Sequence, residues 1–271
     1  MGRRASGNRA DVNQLASSQN STAELVDRPL TIVIPVYNEG ANFPALWAEM
    51  TEHLDFPFSA LVAYDFDGDD TLGVVRGIIG EGETRLQLIK NAYGGGVVGA
   101  IRTGFDAAPA GPVLVVMADL SDDLAQVRKM LELYRRGSHI VVGSRYMKGG
   151  RVIGGPWFKQ LLSRLSGVTL CWFRGIPTHD ATNAFKIYDR GMLSAIRIES
   201  EGGFELSLEI TVKAFLAGYT ITETPATWRD RTAGTSRFKL WKWLPHYLKW
   251  YFMAFQPKAR SRGAREELRS T

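Results

Sequence analysis

Cysteine is nearly missing from this chain of 271 residues: Cys171 stands alone, so no internal disulfide can form. The sequence therefore reads as that of a reducing-compartment protein. Histidine is scarce as well. His53, His139, His179 and His246 are scattered without zinc-ligand spacing, and no histidine-built metal centre is expected. No apolar run is long enough to span a bilayer, so no transmembrane helix is expected either. Met1 to Asn20 is polar and lacks the apolar stretch of a signal peptide, so residues 1–28 are expected to form a disordered leader. The sequence shows no repeats, and nothing marks a second domain.

What is present suits one large α/β domain with an ordinary core, since hydrophobic residues make up 45% of the chain. Charge is uneven. Ala226 to Thr271 carries 11 of the 33 Lys/Arg but only 3 of the 28 Asp/Glu, so a basic end follows a slightly acidic body. Such an end calls for an anionic partner. A membrane surface is expected, and nucleic acid is not.

Strand and helix signals alternate along the first half. Leu30 to Val36 reads as a buried strand ending in the Tyr37-Asn38-Glu39-Gly40 turn, with a helix from Pro44 to His53. Ser59 to Tyr64 reads as a second strand, Leu72 to Ile79 as a helix and Arg85 to Lys90 as a third strand. The glycine-rich Tyr93 to Ala100 opens another helix, and the apolar run Val113 to Met117 follows. This alternation predicts a parallel sheet wound on both faces. Further on, Ile140 to Tyr146 reads as a strand and Phe158 to Phe173 as helical. Phe204, Leu208, Val212 and Phe215 mark one face of a helix, and Tyr219 to Trp228 reads as a late strand.

The Val113 run leads directly into Ala118-Asp119-Leu120-Ser121-Asp122-Asp123. At the carboxyl end of a strand in an open α/β sheet, such a cluster faces the ligand crevice. Carboxylates this close repel one another unless a cation compensates them. A hard divalent metal, Mg2+ or Mn2+, is the simplest compensation, and a diphosphate the usual reason to hold one. Met117 occupies the place of a first acidic ligand, which leaves Asp119 with Asp122 or Asp123 as candidates.

Other segments admit two readings each. Asp65-Phe66-Asp67-Gly68-Asp69-Asp70 is either an acidic turn, with Asp70 or Thr71 capping the next helix, or a place where Asp65 accepts from a base or ribose. Gly94-Gly95-Gly96 is either a flexible turn or an anion-binding helix entry, and its spacing fits neither the dinucleotide fingerprint nor the P-loop. Arg231 to Arg237 is either a solvated loop or a lid whose guanidinium groups grip a diphosphate. In Phe238 to Phe255 aromatics alternate with Lys239, Lys242, His246 and Lys249. An amphipathic membrane-interface helix over 238–257 is expected, followed by a basic tail over 258–271. The alternative is that these aromatics are core.

Together, these segments form an ordered set. Thr31-Ile32-Val33-Ile34-Pro35-Val36-Tyr37-Asn38-Glu39 resembles the opening motif of family 2 glycosyltransferases. From Leu30 to Lys239 the set resembles the dolichyl- or polyprenyl-phosphate mannose synthase branch. The resemblance implies a GT-A fold over 29–237: a Rossmann-like α/β domain with a mostly parallel sheet flanked by helices. It implies that Pro35, Tyr37 and Glu39 line the nucleotide pocket, with Asp65 and Asp67 toward base and ribose and Gly95 and Gly96 beside the sugar nucleotide. Asp119 matches the last Asp of the family's D-x-D metal motif. Gly143-Ser144-Arg145-Tyr146 resembles the segment whose Arg holds the phosphates. Lys159 and Arg164 fall where the lipid phosphate is bound, and Arg231 and Ser236 match the loop that closes over the diphosphate. Asp180 to Lys186 is similar to the D-x-T-S-G-F-R run, with Asn183, Ala184 and Lys186 replacing Ser, Gly and Arg. Tyr64 replaces the first acid of the usual pair at the second strand.

The implied activity is inverting transfer of a hexose from a nucleotide-diphosphate sugar to polyprenyl phosphate. GDP-mannose is the expected donor, with UDP-glucose second. Asp119, Arg145 and Arg231 are the expected catalytic residues, Asp119 and Asp122 the metal ligands, in a cytoplasmic protein peripheral at the membrane. Two alternatives stay open. One is a hydroxyl acceptor, with Glu205, Glu209 or Asp122 as its base. The other is a non-catalytic sugar-nucleotide-binding relative whose metal site has decayed at Met117.

Overall fold

The computed structural model describes residues 28–230 and 240–257. Strand β1 (Leu30–Val36) is buried along its whole length, as an unbroken apolar run in a covered parallel sheet requires. It pairs in parallel with β2 (Phe58–Tyr64) on one side and with β4 (Pro112–Val115) on the other. Strand β3 (Leu86–Lys90) extends the sheet beyond β2. The crossovers are α1 (Phe43–His53), α2 (Thr71–Gly80) and α3 (Val97–Ala107).

The second half adds α4 (Val127–Arg135), β5 (Ile140–Ser144), β6 (Arg151–Ile153), α5 (Trp157–Arg174), β7 (Lys186–Asp189), α6 (Arg190–Ala195), α7 (Glu205–Leu216), β8 (Ile221–Pro225), β9 (Thr227–Arg229) and α8 (Leu240–Met253). The main sheet runs β3-β2-β1-β4-β7-β5-β8, and β6 pairs with β9 in a separate ribbon. Strand β7 lies antiparallel between β4 and β5, so the sheet is mostly but not wholly parallel. The late strand read over Tyr219 to Trp228 divides at Ala226, because β8 belongs to the main sheet and β9 to the ribbon.

A cleft opens where β1 and β4 part. The Val33 carbonyl accepts from Val116 N at 3.1 Å, so Pro35, two residues on, turns toward the same side. The ladder has ended there, and a residue without an N–H leaves no bond unmade. The apolar run continues to Met117, but the strand stops at Val115, and Met117 to Asp123 fold across the crevice.

Alternation along the strands supplies two cores. Ile32, Ile34 and Leu114 face α1, α2 and α4, packing with Phe43, Met50, Val75 and Met130. Val33, Val113 and Val115 face the opposite layer, with Phe105, Leu208, Val212 and Trp250. Each such fully buried side chain contributes about 1.5–3 kcal/mol of burial.

Helix α5 presses against the loop before β7, and glycine makes the approach possible. A Cβ at Gly167 would lie 2.0 Å from the His179 carbonyl oxygen, whereas one at Gly77 in α2 would meet nothing within 4 Å. Gly167→Ala should therefore lower stability by about 1–3 kcal/mol, the cost of overpacking. Gly77→Ala should raise it by about 0.5–1 kcal/mol through helix propensity. Urea midpoints of the two variants check the opposite signs.

Candidate functional site

The floor of the cleft is the Met117 to Asp123 turn. Leu120 holds a left-handed backbone there (φ 60°), which is costly for a side chain of this size. Asp119 Oδ1 accepts from Ser121 N at 3.2 Å, and Asp122 Oδ2 from Met117 N at 2.9 Å. Both carboxylates are buried. Asp123 is committed elsewhere, accepting from Thr227 N of β9 at 2.9 Å. Burial pushes the Asp122 carboxyl up to about 7; the Met117 N–H opposes this and the Asp119 charge reinforces it.

This donor set bears on the metal. Among the described residues, no group of three or more His, Cys, Asp or Glu is placed to hold an ion. Asp119 and Asp122 fit as two oxygen ligands, and their mutual repulsion is the kind a dication relieves. The Met117 thioether, which also lines the cleft, is too soft to serve a hard cation. An ion here would draw its other oxygens from a diphosphate or from water.

After β2, the acidic run is mostly tied into the protein. Asp65 accepts from Asn91 Nδ2 at 2.8 Å through one oxygen and from Gly96 N at 2.7 Å through the other. It thereby fixes the glycine turn, where Gly94, Gly95 and Gly96 all have positive φ and Gly96 caps α3. Asp67 is exposed and paired with Lys90 at 2.7 Å. Asp69 accepts from Asn38 N, Thr71 Oγ1 from Glu39 N, and Asp70 from Gly40 N, clamping the turn after β1. Asp70 stands at the N-cap of α2 without a side-chain capping bond, and Asp69 Oδ1 accepts from Thr71 N. Tyr37 is exposed with its ring 5.3 Å from that of Phe66, Glu39 accepts from Asn42, and Pro35 lies buried in β1.

On the opposite side, Arg145 follows β5 and is locked to Asp180. Its Nε and Nη2 donate to the two Asp180 oxygens at 2.7 and 2.8 Å, and its backbone N–H adds a third bond at 2.9 Å. Nη2 also reaches Ser163 Oγ of α5 at 3.0 Å. Asp180 is fully buried, so the pair is a fixed element of the wall. The fork still leaves Nη1 for a ligand. Lys159 lines the same cavity, whereas Arg164 is exposed away from its lining. Arg231 and Ser236 lie outside the described residues.

These parts enclose a cavity of about 750 Å³. Met117, Asp119, Asp122 and Arg145 line it, together with Leu162 and Leu165 of α5 and Tyr247, Leu248 and Tyr251 of α8. The stretch read as an interface helix is thus divided: Trp250 and Ala254 are buried in the core, and Phe252 and Phe255 are exposed. Glu209 is saturated by Glu199 N, Ser200 N and Lys213 Nζ. Glu205 is fully buried, with one oxygen accepting from Gly202 N.

Sequence reasoning gave no role to Asp180, Ser163 or Tyr247. No local pattern ties Asp180 to an arginine 35 positions away. Lys186 was read only as a replacement, yet it is fully buried and donates to Ala181 O, Ser207 Oγ and Thr211 Oγ1 at 2.7–2.8 Å. Burial, opposed by the Asp180 charge, lowers its ammonium pKa from 10.5 to about 7. Between those values the unfolded chain binds more protons than the folded one, so this group makes stability rise with pH. Lys186→Met should flatten that rise. Urea midpoints at about pH 7 and about pH 9.5 check it, and an unchanged slope would contradict it.

With this geometry in place, the comparisons are consistent. The model of Glycosyl transferase family 2 matches residues 31–197. The chain is 27% identical over 229 residues to the polyprenol monophosphomannose synthase of Mycolicibacterium smegmatis, covering 83% of this chain and 86% of that one. It is 27% identical over 232 residues to the dolichol-phosphate mannosyltransferase of Pyrococcus furiosus, covering 82% of this chain and 64% of the relative. Among solved structures, glucosyl-3-phosphoglycerate synthase from Mycobacterium tuberculosis in complex with Mn2+, UDP and glucosyl-3-phosphoglycerate superposes with a TM-score of 0.58. That match has 14% identity and covers 93% of this chain and 83% of that one. The fold is that of the GT-A glycosyltransferases. The protein belongs to glycosyl transferase family 2 and is a glycosyltransferase.

Proposed function

We propose that this enzyme transfers a hexose, with inversion, from a nucleotide-diphosphate sugar to polyprenyl phosphate at the membrane surface. One observation carries the reading: the same cavity is lined by carboxylates with a guanidinium and by apolar side chains of α5 and α8. The first suits a diphosphate and the second a prenyl chain. The names of the mannosyltransferase relatives support the polyprenyl phosphate and the mannose.

In this scheme a lipid phosphate oxygen bonds to the anomeric carbon as the bond to the donor's diphosphate breaks. The electron pair leaves with the nucleoside diphosphate. The phosphate is already an anionic nucleophile near neutral pH, so no general base is needed. Arg145, held rigid by Asp180, offers positive charge to the leaving group without reorganising. Lys159 offers a cation to the incoming lipid phosphate, with Arg164 further along α5 and Arg231 and Ser236 assigned by resemblance to the diphosphate. Asp119 and Asp122 would hold Mg2+ or Mn2+, which supplies charge neutralisation at the diphosphate when bound. GDP-mannose is the first choice of donor and UDP-glucose the second.

A hydroxyl acceptor would need a base, and the saturation of Glu209 speaks against that residue. A screen of labelled sugar nucleotides, each offered with polyprenyl phosphate and with soluble saccharides, tests the reading. Label should enter the lipid with one donor, GDP-mannose. Label confined to saccharide would move the enzyme to the hydroxyl-acceptor class.

A further inference from the structure

Asp123 is not used as its place in the chain would suggest. It precedes the short helical turn Leu124–Gln126 that leads into α4, where an aspartate ordinarily caps the first free N–H groups. Its side chain makes no capping bond. Instead, Oδ2 accepts from Thr227 N of β9 at 2.9 Å, across 104 positions of sequence. Two residues further along β9, Arg229 N donates to Ser121 O at 3.1 Å. N–H groups at alternate positions of a strand point to one side, so β9 grips the Met117 to Asp123 turn twice. Trp228, between the two gripping residues, lines the cavity together with Asp119 and Asp122.

The turn requires such a grip. Leu120 has φ 60°, a backbone that a leucine keeps only where its surroundings over-determine it. The bonds from Ser121 N to Asp119 and from Met117 N to Asp122 fix each carboxylate to the turn. They do not fix the turn to the rest of the site. The two bonds from β9 do, one at Ser121 directly after Leu120 and one at Asp123 directly after Asp122. The strand is anchored in its turn on the Arg145 side. Ala226 N donates at 3.0 Å to the carbonyl of Ser144, the residue before Arg145. Successive N–H groups, of Ala226 and Thr227, thus hold the guanidinium wall and the carboxylate turn.

We propose that Asp123 is a positioning residue: by accepting from Thr227 N it holds Asp119 and Asp122 in place relative to Arg145, so that a metal-bound diphosphate meets a preassembled site. The inference rests on the reading of Asp119 and Asp122 as ligands of Mg2+ or Mn2+, and it adds what aims them. It also sets Asp123 apart from a further ligand. A ligand would act through its charge, whereas a positioning residue acts through one acceptor oxygen, which an amide also has.

Asp123→Ala and Asp123→Asn in the full chain separate the two roles. Binding of Mn2+ in the presence of GDP or UDP is followed by the electron paramagnetic resonance of the free ion. It should weaken about tenfold or more in Asp123→Ala and stay within about threefold of wild type in Asp123→Asn. Hydrogen exchange of the Met117 and Ser121 amides reads the turn itself, with no metal or nucleotide added. Their protection should fall about tenfold in Asp123→Ala and be retained in Asp123→Asn. Circular dichroism should show both variants folded. Equal loss of Mn2+ binding in the two variants would overturn the proposal, because the charge and not the strap would then matter. Wild-type Mn2+ binding or wild-type exchange in Asp123→Ala would overturn it as well. If the wild-type protein binds Mn2+ with neither nucleotide, the metal reading fails, while the exchange measurement still decides whether Asp123 holds the turn.

Discussion

Asp119→Ala should lower kcat/KM by about 10²–10³-fold, equivalent to about 3–4 kcal/mol of transition-state stabilisation. The size follows from how few carboxylates of the turn after β4 line the cavity. Met117 supplies none, Asp123 is bound to Thr227 N, and among the described residues the carboxylates lining the cavity are Asp119 and Asp122 of this turn and Asp230 after β9. Removing Asp119 leaves Asp122 as the one carboxylate of the turn that lines the cavity, a poor site for a dication. The bond that Asp119 accepts from Ser121 N is worth about 0.5–1.5 kcal/mol, small beside that loss. The variant should therefore keep its fold and lose metal-dependent nucleotide binding. Steady-state kinetics across Mg2+ and Mn2+ concentrations, alongside circular dichroism, provide the check. Activity within about threefold of wild type would show that Asp119 does not serve the leaving group.

Asp180→Ala should produce the largest loss of stability, about 3–5 kcal/mol. Arg145 and Asp180 exchange three hydrogen bonds in a region where Asp180 is fully buried. Deleting the carboxylate leaves a mostly buried guanidinium without its partner. For a domain whose net stability is about 5–15 kcal/mol, that is a large share. Asp180→Asn should fall between, because the amide retains an acceptor but not the charge. Catalysis should suffer in both, through an Arg145 that is no longer held in place. Urea unfolding measures the first effect and the donor KM the second; an unshifted midpoint in Asp180→Ala would contradict the assignment.

The parts of this molecule legible in its sequence are those written in local pattern. Leu30 to Val36 announces a covered strand because both of its faces are apolar, and β1 is indeed buried throughout. The helix from Phe204 onward shows a clear face, though α7 proves buried nearly all round because it lies between the sheet and α8. What was not legible depends on distant partners. Strand β7 is four residues long, and its antiparallel direction is set by β4 and β5, not by anything in Lys186 to Asp189. Asp65 reads as a nucleotide contact, and its bonds from Asn91 Nδ2 and Gly96 N, 26 and 31 positions away, are not written in the local pattern. The apolar stripe of α5 has the periodicity of a core-facing helix, and only its exposure shows that the core is not what it meets.

The most direct test of the central claim is the chemical form of the product. Purified enzyme, labelled sugar nucleotide, Mg2+ and polyprenyl phosphate in detergent should yield one organic-soluble hexosyl-phosphate lipid whose anomeric configuration is opposite to that of the donor. Label found only in water-soluble material, or a lipid product with retained configuration, would contradict the account.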